Sequence, residues 1–183
     1  MIVLVLGLLL WAGAHFFKRI APDARARLGD RGKGLVALLL VVSVVLMVLG
    51  YRAAPADAYW APPAWTKHLN NLLMLVAFYL FGVGAAKGTT AGWLRHPQLT
   101  AVVLWSAAHV LANGEIKALV LFGGLGLWAV AEMIVINRAQ PWERPAATSV
   151  KGDVKALVIG LVLYAVVAAV HVWLGVWPFG GPA

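Results

Sequence analysis

The chain has 183 residues, of which 62% are hydrophobic and only 12% charged. A soluble domain carries about 25% charged residues, so the composition excludes a soluble globular protein and leaves room for one membrane bundle without a separate soluble domain. There is no cysteine, which excludes disulfides, thiolate nucleophiles, iron–sulfur clusters and cysteine-ligated zinc. The net charge of +8 lies in loops between apolar runs, which fits the positive-inside rule and anionic lipid head groups rather than nucleic acid.

The first expected span covers residues 2–17, with His15 near its basic end. Residues 1–14 end in Ala12-Gly13-Ala14, like a signal-peptide cleavage site, but the basic cluster follows the apolar run instead of preceding it. That polarity is opposite to a signal peptide, so the expectation is an uncleaved span whose N-terminus lies outside. Residues 18–33 form a basic loop with Lys18, Arg19, Arg25, Arg27, Arg31 and Lys33. Residues 34–50 are a Leu/Val span without a titratable group, read as lipid-facing scaffold. Residues 51–67 hold Pro55, Pro62 and Pro63 with Tyr51, Tyr59, Trp60 and Trp65. Proline stops helices and these aromatics favour the head-group level, so this is an outer interfacial loop.

The third span, 68–86, starts polar with His68, Asn70 and Asn71. A Gly/Thr-rich connection at 87–97 carries Lys87, Trp93, Arg95 and His96. The fourth span, 98–112, is short; it either begins before Arg95 or is tilted. After the turn at Asn113-Gly114-Glu115, the fifth span covers 116–136, where Gly123, Gly124 and Gly126 permit close helix approach. A polar segment at 137–153 precedes the last span, 154–177, which contains His171; the tail is 178–183. The expected fold is therefore all-α: one integral membrane bundle of six transmembrane helices, with both termini on the outer side (periplasmic in a bacterium). Of fifteen basic residues, this arrangement leaves three outside (Arg52, Lys67 and Lys117) and twelve inside.

His15 and His109 share a local pattern, each having a tryptophan four residues earlier, Trp11 and Trp105. Residues i and i+4 lie on one helix face. Such a face suits a flat ring packed on the indole while the imidazole ligates its metal, as in haem. The same spacing also suits a histidine hydrogen-bonded to a neighbouring helix with tryptophan as interfacial packing. Arg95, Lys87, Lys18 and Arg19 share the inner side and suit haem propionates, lipid phosphates or plain positive-inside charge. His68, at the outer start of its span, reads as structural, and His171 has no motif around it. Acids within spans are few and lack general acid–base spacing, and no nucleophile motif or phosphate-cradling glycine loop is present.

Three blocks, GAHFFKR at the end of the first span, WTKHLNNLLM, and RHPQ…LWSAAHVLANG over 95–114, resemble the NnrU family of bacterial membrane proteins, which are linked to denitrification and nitric oxide metabolism. The resemblance is strongest over residues 1–138 of what reads as a single domain. The same blocks are similar to the plant and cyanobacterial 15-cis-zeta-carotene isomerases, haem b membrane proteins with two axial histidines. By motif position the resemblance implies His15 and His109 as metal ligands, with His68 and His96, which also match family histidines, as lesser candidates; with the spacing and charge arguments above, the cofactor contacts expected are Trp11, Arg95, His96 and Trp105. Where the isomerases have cysteine three residues before the second ligand, this chain has Ser106. A thiolate ligand switch is thus unavailable, which argues against carotenoid isomerisation and leaves haem binding untouched.

These observations give three expectations. The first is an inner-membrane, multi-pass haem b protein in nitrite or nitric oxide metabolism or membrane redox chemistry. The second is a haem-dependent polyene isomerase, and the third a non-catalytic partner of a respiratory complex. Whether the chain is an enzyme is left open. The expected partners are the bilayer, a hydrophobic small molecule or nitric oxide, and further copies of the chain, with no nucleic acid.

Overall fold

The computed structural model describes residues 1–145 and 149–179, so parts of the 137–153 segment and of the 178–183 tail lie outside the described residues. It is all-helical. The helices are α1 (Ile2–Ile20), α2 (Pro22–Arg27), α3 (Arg31–Ala53), α4 (Trp65–Ala86), α5 (Pro97–Ala112), α6 (Ile116–Ala139) and α7 (Val150–Trp173), with a 3-10 turn at Thr89–Gly92. The described residues contain no strand, only an isolated antiparallel bridge between Ala58 and Glu115. Five helices, α1, α3, α4, α6 and α7, are long and apolar enough to cross a membrane; α5 is apolar but has 16 residues, about 24 Å at 1.5 Å per residue.

Several boundaries differ from the sequence expectation, each for a local reason. α1 runs on to Ile20, and the basic loop behind it contains α2, opened by Pro22, whose fixed φ suits the first helical position. α5 begins at Pro97 and so does not reach back before Arg95. The last helix takes in Lys151 and Asp153 and stops at Trp173. There Gly175 at φ +79 turns the chain, a conformation glycine adopts without a Cβ penalty.

Apolar side chains gain little by leaving lipid for one another, so helices in a bilayer associate through small residues that let backbones approach. The packing follows that rule. Gly50 of α3 lies where a Cβ would collide with the backbone of Leu4 on α1, and Gly82 of α4 lies where one would come within 2.5 Å of the Ala156 carbonyl oxygen on α7. Gly124 meets Leu8 of α1 and Gly126 meets Ser106 of α5, whereas Gly123 meets only Leu119 of its own helix. α6 thus lies between α1 and α5, and the helices follow one another as α3, α1, α6, α5, α4, α7. These pairings make α1, α4 and α6 run one way and α3, α5 and α7 the other. The starts of the first set and the ends of the second form one end of the bundle, called here the Met1 end; the opposite one is the Lys18 end. Large apolar side chains such as Leu38, Val41, Val158 and Leu161 remain about half exposed or more, a surface that suits lipid rather than water.

The ends are tied by polar contacts. At the Lys18 end, Asp153 accepts hydrogen bonds from the backbone N–H groups of Thr89 and Thr90, both at 3.0 Å, and pairs with the Thr89 hydroxyl, which fixes the α4–α5 connection to α7. At the Met1 end, the Tyr59 hydroxyl donates to the carbonyls of Val110 and Asn113 at 3.2 and 3.3 Å, closing the last turn of α5.

Candidate functional site: a histidine-walled cavity between α4, α5 and α7

The Trp-x-x-x-His patterns of α1 and α5 form the same local structure. The Nδ1 atoms of His15 and His109 lie 2.9 Å from the carbonyl oxygens of Trp11 and Trp105, four residues back in their own helices. A carbonyl oxygen can only accept, so Nδ1 carries the proton and Nε2 keeps its lone pair, the tautomer that metal ligation through Nε2 needs. Each histidine is also set by two aromatic rings. His15 lies 4.4 Å from Trp11 and 4.5 Å from Trp128, and His109 lies 5.2 Å from Trp105 and 4.5 Å from Phe122, measured between ring centroids. α6 supplies the outer ring in both cases.

α6 also measures the distance between the two histidines. Phe122 and Trp128 are six residues apart, about 9 Å along the axis and about 120° around it. His109 therefore lies toward the Met1 end on the α5 side of α6, and His15 lies deeper, on the α1 side.

His109 opens onto a cavity of about 750 Å³ at the Met1 end, within the range of small-molecule and cofactor sites. α4 contributes Lys67, Asn70, Asn71, Met74 and Phe78; α5 contributes Trp105, His109, Ala112 and Asn113; α6 contributes Leu121 and Phe122; and α7 contributes Tyr164, Val167, Ala168 and His171. The turn after α7 adds Gly175, Val176, Trp177 and Pro178, and Asn71 Nδ2 donates to the Pro178 carbonyl at 3.0 Å, tying that turn to α4. Most of the lining is apolar and aromatic. The polar exceptions cluster in the first turns of α4 and at the two histidines. The buried Asn70 Oδ1 on this wall has no hydrogen-bond partner among the described residues. His15 is not among the lining residues. An apolar recess of about 340 Å³, lined by Trp11, Val44, Met47, Val48, Tyr51, Arg52, Leu121 and Leu125, adjoins the cavity through Tyr51 and Leu121.

The remaining residues singled out in the sequence are placed elsewhere. Arg95 donates to the carbonyls of Gln140 at 2.6 Å and Ile136 at 3.4 Å, and His96 Nε2 lies 2.9 Å from Asn137 Oδ1. Together they hold the last turn of α6 at the Lys18 end. His68 is exposed at the start of α4. Ser106 donates to the Phe122 carbonyl at 2.6 Å and faces α6, not the cavity. Beneath His15, Arg19 Nε pairs with Glu132 Oε1 at 3.1 Å, joining α1 to α6.

Two features of this region had no motif to announce them. His171 shares the cavity with His109, and its Nδ1 lies 2.8 Å from the Val167 carbonyl oxygen, so it has the same free Nε2. The signal available in the sequence was a titratable side chain in an otherwise apolar span, which is functional by default. The partner of Glu132, 113 residues away, was not legible from local pattern.

Residues 3–178 match the family described as NnrU protein. The chain belongs to the NnrU family. No curated protein and no solved structure was found to match it. Family membership and helices of this length and apolarity fit a multi-pass membrane protein.

Proposed function

We propose that this NnrU-family protein is a six-span protein of the bacterial inner membrane that binds haem b in the cavity at the Met1 end, with His109 as an axial ligand. Its role lies in nitrite or nitric oxide metabolism or in membrane redox chemistry. The alternating direction of the five long helices and the shorter apolar α5 supports the six-span reading. The charges support the orientation: Arg52, Lys67 and Lys117 belong to the Met1 end, and the other basic residues to the Lys18 end and its loops, which puts the Met1 end on the periplasmic side.

One observation carries the haem reading: an imidazole with a free Nε2 opens onto an aromatic-walled cavity of about 750 Å³. A tetrapyrrole brings four equatorial nitrogens and asks the protein only for one or two axial donors. The residues present fit such a group. Trp105 and Phe122 flank His109 and offer flat faces, Met74 and Phe78 form an apolar floor, and Lys67 with Asn70 stands where carboxylates would reach the polar boundary. When bound, haem supplies one-electron chemistry and affinity for nitric oxide. The protein would hold such a group against Trp105 and Phe122, fix the His109 tautomer through the Trp105 carbonyl, and offer Lys67 to its carboxylates.

The test is the absorption spectrum of detergent-purified protein, oxidised and reduced. A Soret band in wild type that His109→Ala removes or shifts supports the reading. A colourless wild type, or a band unchanged by the substitution, rejects it. The adjoining apolar recess favours a second reading, haem-dependent isomerisation of a long polyene, since it extends the cavity with side chains suited to a hydrocarbon chain. Conversion of tri-cis-zeta-carotene in a carotenoid-producing host tests that reading.

A further inference from the structure

We infer that His171 of α7 is the second axial donor of this site, facing His109 across the cavity, so that the last helix completes the centre. The inference rests on the haem reading above and deepens it.

Depth is the first argument. His109 stands three residues before the end of α5, and His171 stands two residues before the end of α7. Both helices run toward the Met1 end, so the two rings lie at nearly one level. The level of His15 is about 9 Å deeper, six residues farther along α6. Two axial donors must meet one iron, so matched depth is a requirement and not a convenience.

Direction is the second. α4 packs against both α5 and α7 and lies between them. Packed neighbours stand about 8–10 Å apart, so the two helices flanking α4 leave a wider gap than one helix contact does. His109 of α5 and His171 of α7 both line the cavity, together with Met74 and Phe78 of α4, which packs against both helices. Both histidines would thus be available to hold a group bound in this cavity.

Chemistry is the third. Both histidines direct Nδ1 to the carbonyl four residues back, which leaves both Nε2 lone pairs for the metal and fixes both rings. The hydrogen bond from Asn71 to the Pro178 carbonyl holds the turn after α7 against α4, which positions His171 at the wall. Two protein donors would leave no vacant place on the iron, which among the roles proposed above selects membrane redox chemistry over nitric oxide capture.

The experiment compares wild type, His171→Ala, His171→Met and His15→Ala, each purified in mild detergent from a haem-replete host, by haem content, absorption and electron paramagnetic resonance. The expected wild type is six-coordinate and low-spin. His171→Ala keeps haem but becomes high-spin, and added imidazole restores the low-spin signal. His171→Met, which keeps a donor at the position, stays six-coordinate with an altered spectrum. His15→Ala matches wild type. A low-spin signal that survives in His171→Ala, or one lost in His15→Ala, overturns the inference while leaving haem binding in place. A wild type that takes up no haem overturns the haem reading and this inference together.

Discussion

The pair formed by Arg19 and Glu132 gives a prediction whose size and asymmetry follow from the geometry. The side chains are 23% and 10% exposed, and Glu132 Oε2 is buried without a hydrogen-bond partner among the described residues. Removing one partner of a buried pair costs about 3–5 kcal/mol, because the other charge is left uncompensated. The two removals differ. Glu132 is seven residues from the end of α6, about 10 Å along the axis, and its short side chain cannot reach the boundary. Arg19 is one residue from the end of α1, and its long stem can snorkel to water. Arg19→Ala should therefore cost about 3 kcal/mol. Glu132→Ala, which frees an arginine able to escape, should cost about 1 kcal/mol. For a chain of this size 1 kcal/mol shifts Tm by roughly 2–4 °C, so Arg19→Ala should lower Tm by about 6–12 °C and Glu132→Ala by about 2–4 °C. The double variant should resemble Glu132→Ala. Thermal unfolding in detergent, followed by tryptophan fluorescence, measures all four proteins. Equal losses in the two single variants, adding up in the double, would refute the reasoning.

Three further outcomes follow from the packing. Gly50→Ala places a methyl group against the Leu4 backbone and should destabilise by about 1–3 kcal/mol, whereas Gly34→Ala, with nothing within 4 Å of the added Cβ, should not; detergent Tm values separate them. Asp153→Ala removes the acceptor that holds the Thr89–Gly92 turn, so limited proteolysis between α4 and α5 should speed up. Ser106→Cys should leave the spectrum of the haem-loaded protein unchanged, because the side chain faces the Phe122 carbonyl; a thiolate-type spectrum would contradict that placement.

The architecture was largely legible in the sequence because apolar runs of membrane length and their basic flanks are local signals. Boundaries slipped where a single residue decides them. Pro97 opens α5, and Gly175, by taking positive φ, ends α7 four residues before the apolar run ends. The Trp-x-x-x-His pattern singled out His15 and His109, and the structure gives each the same hydrogen bond to its own helix, as it also does His171. The pattern could not say which cavity each ring meets. That depends on α6 passing between α1 and α5 and on α7 packing against α4, contacts that small residues such as Gly82, Gly126 and Gly160 permit without naming their partners. His171 carried no motif for the same reason: no tryptophan precedes it by four residues, and only the fold brings it to the cavity that His109 lines. Arg95 read as a cofactor contact because arginine suits an anionic group, and His96 because it fits the resemblance; their hydrogen-bond partners in the structure, at the end of α6 more than 40 residues away, carry no local signal.

The central claim, that the cavity walled by His109 is a haem site, is tested most directly by haem content per chain in the protein purified from a haem-replete membrane. The account predicts one haem per wild-type chain and a large loss in His109→Ala, with fold retained by helix content. Wild-type protein that is well folded and haem-free, or full haem content in the His109→Ala variant, would contradict it.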